Sequence, residues 1–123
     1  MRIVASRLHR CARPRPHLVL SLQDEEGHLG TGDAAPLPPF SPEDTAACAR
    51  VLDRAHERLP PIRDDLPTVL AVAQALRPFR RRLQGVPSAR FALEIALFDL
   101  IAQRRGLSVA ECLGGPLDRK SVV

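Results

Sequence analysis

Lysine is nearly missing: of 18 basic residues only Lys120 is a lysine, and the rest are arginine. Tyrosine and tryptophan are absent and aromatics make up 3% of the chain, which argues against base-stacking platforms for nucleic acid. No long apolar run is present, which excludes a helix that spans a membrane. Cys11, Cys48 and Cys112 are odd in number and widely spaced, so neither a disulfide framework nor a C-x-x-C metal site is indicated. Arg2, Arg7 and Arg10 occupy the stretch where a secretory leader would need its apolar segment, and a cytoplasmic protein is expected.

What is present is one domain of 123 residues with an ordinary apolar fraction of 45%, large enough for a true core. The net charge of +4, with Arg77, Arg80, Arg81 and Arg82 close together, raises the question of a nucleic-acid partner. The other arginines alternate with acids on helix faces, so a solvated basic helix end is expected and no nucleic-acid or membrane partner. The arginine bias fits a GC-rich genome, against which the final DRKSVV stands out. Those residues are the translation of GATCGGAAGAGCGTCGTG, one of many strings that would encode them and a match to a common sequencing-library adapter. Native sequence is therefore expected to end near Leu117, with 118–123 a non-native tail.

Three strands open the chain. Residues 2–10 can extend, and 17–23 alternate, with Leu18, Leu20 and Leu22 on one face and Val19, Ser21 and Gln23 on the other. Asp24, Glu25, Glu26 and Gly27 have turn chemistry, and HLGTGDAA returns antiparallel. Gly30 and Gly32 in that third strand suggest close backbone approach or a bulge, not a phosphate loop, because no helix start follows them. Four prolines then stiffen APLPPFSPED, ending where Ser41 is expected to cap a helix with Pro42 in its first position. Cys48, Val51, Leu52, Ala55 and Leu59 share one helical face until Pro60 and Pro61. A second helix is expected from Asp65, burying Leu66, Val69, Leu70, Ala73 and Leu76 until Pro78.

The most structured stretch runs from Ser88 to Gly115. Ser88 is expected to cap a helix that carries Arg104 and Arg105 in its last turn and stops at Gly106; Ser108 and Glu111 form a capping box for the next. Between Phe91 and Ile101 the helix is apolar nearly all round, so it needs partners on more than one side. Glu94 and Asp99 interrupt it, and each calls for a structural partner rather than acid–base work. The order is α+β: a three-stranded antiparallel meander, then a three- to four-helix bundle on one side of the sheet.

No conventional catalytic site emerges. His9, His17, His28 and His56 lack metal-ligand spacing, and no serine sits in a G-x-S-x-G elbow. The residues do carry a resemblance. GTGDAAPLPPFSPE, from Gly30 to Glu43, together with SARFALEIALFDL, from Ser88 to Leu100, resembles the N-terminal capping domain of the enolase superfamily, over nearly the whole chain to Gly115. The phrase AAPLP with FSPE behind it is most similar to o-succinylbenzoate synthase, the dehydratase of menaquinone synthesis. Dipeptide epimerases, N-acylamino acid racemases and muconate cycloisomerases have related caps.

That resemblance implies a cap packed over a (β/α)8 barrel, in a lyase or isomerase whose barrel binds Mg2+ and carries the catalytic lysines. A barrel needs on the order of 200 further residues, so this chain is expected to hold no catalytic residue and no metal, and to be inactive alone. Its implied partners are the barrel and, in the complete enzyme, a small carboxylate substrate. The implied contribution is substrate selection by two loops, 11–16 and 36–40. Arg13 and Arg15 would meet a substrate carboxylate, while Leu37, Pro39 and Phe40 would form an apolar lid. The first loop is shorter than usual, and Asp33 stands where the family commonly has Glu. A reading of another class is a small arginine-rich interaction module.

Overall fold

The computed structural model describes residues 1–108 and Glu111. The expectations for Cys112, for the Leu113–Gly115 stretch, for the Leu117 boundary and for the DRKSVV tail lie outside the described residues. Three strands, β1 (Ile3–Cys11), β2 (His17–Asp24) and β3 (Leu29–Ala34), form one antiparallel sheet in the order β1-β2-β3. Helices α1 (Thr45–Leu52), α2 (Thr68–Ala75) and α3 (Pro87–Arg105) follow, with single 3-10 turns at Ala55–Glu57 and Arg77–Phe79. This is the α+β plan that the hydrophobic periods predict.

The alternation in β2 fixes which face is covered. Leu18, Leu20 and Leu22 are fully buried beneath the helices, each contributing about 1.5–3 kcal/mol relative to exposure, while Val19, Ser21 and Gln23 are half-buried on the opposite face. Beside them on β3, the covered positions are Gly30, Gly32 and Ala34, and here α3 packs closest. A Cβ on Gly32 would stand 1.9 Å from the Ala92 carbonyl oxygen, and one on Gly30 would stand 2.2 Å from that of Ala96. Of the two sequence readings for these glycines, close approach is the correct one. The irregularity in the sheet falls in β1, between Ile3 and Ala5.

α3 closes the β3 edge of the sheet as well as its face. The Thr31 amide on β3 donates to Asp99 Oδ2 at 2.9 Å, and Gln103 Nε2 donates to the Leu29 carbonyl. An open strand edge invites unwanted pairing, and these two side chains blunt it. Glu94 accepts from Arg90 at 3.2 Å. Both acids that interrupt the apolar run therefore have structural partners, as their setting demands. The helix buries Ala89, Ala92, Leu93, Ala96, Leu97, Phe98, Leu100, Ile101 and Ala102, because β3 and β2 lie on one side of it and α1 and α2 on the other. The described chain thus supplies most of the partners that the all-round apolarity requires, although Phe91 stays 57% exposed.

Several helix starts differ from expectation. Asp44, not Ser41, caps α1, with its carboxylate accepting from the Ala47 amide at 2.9 Å. Ser41 instead closes a turn with Leu37, its Oγ accepting from the Leu37 amide at 2.8 Å. α1 ends at Leu52, because Arg54 adopts a left-handed conformation with φ 52° and the 3-10 turn after it is drawn to β1, where His56 meets Ser6 Oγ. α2 buries Thr68, Ala71, Val72 and Ala75 and leaves Val69 and Leu70 about half exposed, so its predicted buried face is rotated. The small alanines seat the helix close to α3, and Arg105 fixes its start by donating to Thr68 Oγ1 and the Leu66 carbonyl. Ser88 does not cap α3: Val86 holds the cap position and Pro87 the first turn. Gly106 ends α3 at φ 68°, and Ser108 and Glu111 form the reciprocal capping box, both as expected.

Candidate functional site

Antiparallel register brings the two candidate loops to one end of the sheet. Cys11 pairs with His17, so the loop 12–16 is the β1–β2 turn; Leu18 pairs with Ala34, so β3 ends beside the start of β2. The proline-rich segment 35–44 therefore leaves the sheet next to that turn. Arg13 and Arg15 are exposed and form no ion pair among the described residues. Leu37 is 44% exposed and Phe40 86% exposed, with Pro39 also in solvent. A depression of about 230 Å³ lies at the root of the first loop, lined by residues that include Arg10, Cys11, Pro16 and Thr45. Among the described residues no hydrogen bond or ion pair joins Arg13 or Arg15 to Leu37, Pro39 or Phe40. The structure places all five at one end without fastening the two loops together.

The second loop is fastened elsewhere, by a residue the sequence reading did not single out. Glu43 is buried, 5% exposed, and its Oε1 accepts the Ser88 amide at 3.1 Å, satisfying an otherwise orphaned donor in the first turn of α3. Its Oε2 is buried without a partner among the described residues. A carboxylate at a helix N-terminus also meets the positive end of the helix dipole. Beside it, Cys48 is fully buried, and burial together with the Glu43 charge pushes its thiol up to about 11. It is therefore an inert core thiol at neutral pH. The sequence signal for Glu43 is weak: SPE before an apolar run reads as a local helix start, not as a cap for a helix 45 residues away.

The acidic turn between β2 and β3 lies at the other end of the sheet. Asp24 is buried; its Oδ1 accepts the amides of Glu26 and His28, and its Oδ2 lies 2.9 Å from His28 Nδ1. Burial alone would raise this carboxyl, but the His28 side chain and the two amides outweigh it and hold it below the usual aspartate value. Arg104, at the end of α3, reaches Glu26 at 2.7 Å, Asp24 at 3.4 Å and Glu25 at 3.5 Å. Asp24, Glu26 and His28 also bring one ligand atom each within 4.8 Å of one another. Mg2+ favours an octahedron of oxygens and waters, whereas here one donor is an imidazole nitrogen and a guanidinium already supplies the cation. This trio does not fit Mg2+; it locks a turn to a helix.

An antiparallel three-stranded meander, backed on one face by helices and presenting two untied loops at one end, defines an enolase-type N-terminal capping domain. The chain belongs to the mandelate racemase / muconate lactonizing enzyme family, whose N-terminal domain matches residues 9–114. It is 36% identical over 100 residues to the L-Lys-D/L-Arg epimerase of Methylococcus capsulatus, which covers 80% of this chain and 26% of that protein. It is 36% identical over 92 residues to the chloromuconate cycloisomerase of Cupriavidus pinatubonensis, across 75% of this chain and 24% of that enzyme. Its fold superimposes on the dipeptide epimerase of M. capsulatus complexed with Mg ion, with TM-score 0.76 and 30% identity, over 93% of this chain and 33% of that one. The chain thus spans about a quarter of the length of the curated relatives it matches. Among the described residues, no helix is long and apolar enough to cross a membrane.

Proposed function

We propose that this chain is the substrate-selecting cap of a Mg2+-dependent lyase or isomerase, contributing loops 11–16 and 36–40 to a site whose metal and proton-transfer groups belong to a (β/α)8 barrel. The observation that carries this reading is the convergence of both loops at one sheet end, with two unpaired arginines on the first and exposed Leu37, Pro39 and Phe40 on the second. Arg13 and Arg15 attract and orient a substrate carboxylate, a charge-assisted contact that gains strength once water is excluded. Phe40 and Leu37 supply that exclusion. Glu43 sets where the second loop ends, because its carboxylate is held on α3. Bound in the barrel, Mg2+ would stabilise negative charge developing on the substrate carboxylate. The cap holds no catalytic residue and turns nothing over alone.

For the reaction, AAPLP followed by FSPE supports an o-succinylbenzoate synthase-like lyase of menaquinone biosynthesis. The identity to an epimerase supports a second reading, racemisation or epimerisation of an amino-acid derivative or dipeptide. The experiment is to sequence the source locus across the codon for Leu117, then assay the complete enzyme against both substrate classes. Loss of water from the o-succinylbenzoate precursor supports the lyase. Exchange of an α-proton with inversion in a dipeptide selects the epimerase. A genomic stop codon directly after DRKSVV would bring the arginine-rich interaction module to the front.

A further inference from the structure

Beyond the capping loops, Arg77 and Arg80 of the arginine run at 77–82 border a groove that no step of the proposed function uses. It lies between the end of α2, the 3-10 turn that follows and the first half of α3, and it is an open groove of about 680 Å³. Its lining is Ala73, Leu76, Leu83 and three arginines, Arg77, Arg80 and Arg90. Leu76 and Leu83 are 8% and 7% exposed, so they form a floor, whereas the arginines are exposed and form the rim. Helix periodicity puts Arg90 on the side of α3 away from β3, which Ala92 and Ala96 approach. The groove is therefore separate from the sheet.

Charge is what distinguishes it. Arg77 and Arg80 make no ion pair among the described residues. Arg90 spends its Nε on Glu94 at 3.2 Å, and its terminal nitrogens take no other partner there. The chain's main acidic cluster, Asp24, Glu25 and Glu26, is drawn instead to Arg104 at the far end of α3. Like charges converging around an apolar floor repel one another unless an anion sits between them. The volume is that of a small-molecule site.

We propose that this groove binds an amphipathic anion, whose phosphate or carboxylate head lies between Arg77, Arg80 and Arg90 and whose apolar body rests on Ala73, Leu76 and Leu83. Guanidinium pairs with either oxyanion in the same two-pronged way, so the head group is named by its shared chemistry. Arg81 and Arg82 belong to the same run but do not line the groove, and this gives a control of equal charge.

The test titrates the full chain with 1-naphthyl phosphate, following backbone amide shifts by NMR. Naphthol, inorganic phosphate and 1-naphthoate serve as arms lacking the charge, lacking the apolar body, or exchanging phosphate for carboxylate. Saturable shifts confined to residues 73–90 are expected, with naphthol and inorganic phosphate each at least about fivefold weaker; the naphthoate arm tells which head group is preferred. Removing two partly solvated guanidinium contacts, R77Q/R80Q, should weaken binding about tenfold, while R81Q/R82Q changes it less than about twofold. Equal losses in the two double variants would reduce the effect to diffuse charge and overturn the proposal. So would naphthol binding as well as its phosphate, or an absence of saturation. If R77Q/R80Q alters the far-UV circular dichroism, the single variant R80Q replaces it, with about a threefold loss expected and no loss refuting the site.

Discussion

Replacing Gly32 with alanine tests the contact on which the fold turns. The added Cβ would stand 1.9 Å from the Ala92 carbonyl oxygen and 2.7 Å from its carbon, both backbone atoms that no rotamer change can move. Reaching even a tight contact requires α3 to retreat by about 1 Å, a gap that forfeits a quarter to a half of the dispersion energy of the atoms it separates. The atoms in question are those of Ala92, Leu93, Ala96 and Leu97, all fully buried, and the edge bonds from Asp99 to the Thr31 amide and from Gln103 to the Leu29 carbonyl lengthen with them. The cost belongs at the upper end for overpacking, about 3 kcal/mol, a large share of the 5–15 kcal/mol typical of a domain. With a urea slope of about 1.5 kcal/mol/M, the unfolding midpoint should fall by about 2 M. Gly27→Ala is the control: its φ of +91° strains alanine, but nothing lies within 4 Å, so about 1 kcal/mol and less than 1 M is expected. If G32A shifts the midpoint no further than G27A, close packing of α3 on β3 is not what its glycines serve.

Three further outcomes follow from buried polar groups. Because Asp24 is held below its ordinary value of 3.8, its contribution to stability is complete above that pH and is lost as the pH falls through the lower folded value; Asp24→Asn should flatten this part of the acid limb of a urea-midpoint profile. Glu43→Ala strips the acceptor from the Ser88 amide and should cost about 1–2 kcal/mol, with Glu43→Gln milder, read as Tm in thermal melts. Cys48, with its thiol pushed up to about 11, should resist iodoacetamide at pH 8 in the folded chain while the half-buried Cys11 reacts, as peptide mapping would show.

Legibility in the sequence followed the range of the interaction. The meander was readable because period-two alternation in 17–23 and the turn chemistry at 24–27 are local, and the stop at Gly106 and the Ser108–Glu111 box are local as well. The close approach at Gly30 and Gly32 could be inferred from glycine inside a strand, though not the identity of the helix that approaches. Helix starts misled where a distant group did the capping: Glu43 supplies what Ser88 was expected to supply, and the His56–Ser6 contact ends a helix whose apolar spacing ran on to Leu59. In α2, apolar residues occur on every side, so period alone could not select the alanine face. The two loops were legible as stiff and apolar or as basic, but their arrival at one end depends on strand register, which only the paired sheet reveals.

The central claim is that these loops select substrate for a barrel, and the most direct measurement is steady-state kinetics on a hybrid enzyme. Residues 1–108 would replace the corresponding cap of the M. capsulatus dipeptide epimerase, with which this chain shares 30% identity and a TM-score of 0.76. The hybrid is predicted to turn over with an altered substrate ranking. R13Q/R15Q in it should raise KM for carboxylate-bearing substrates several-fold with kcat nearly kept, and Phe40→Ala should lower kcat/KM for all of them. A folded, active hybrid whose ranking matches the parent epimerase, and which ignores both loop changes, would contradict the account.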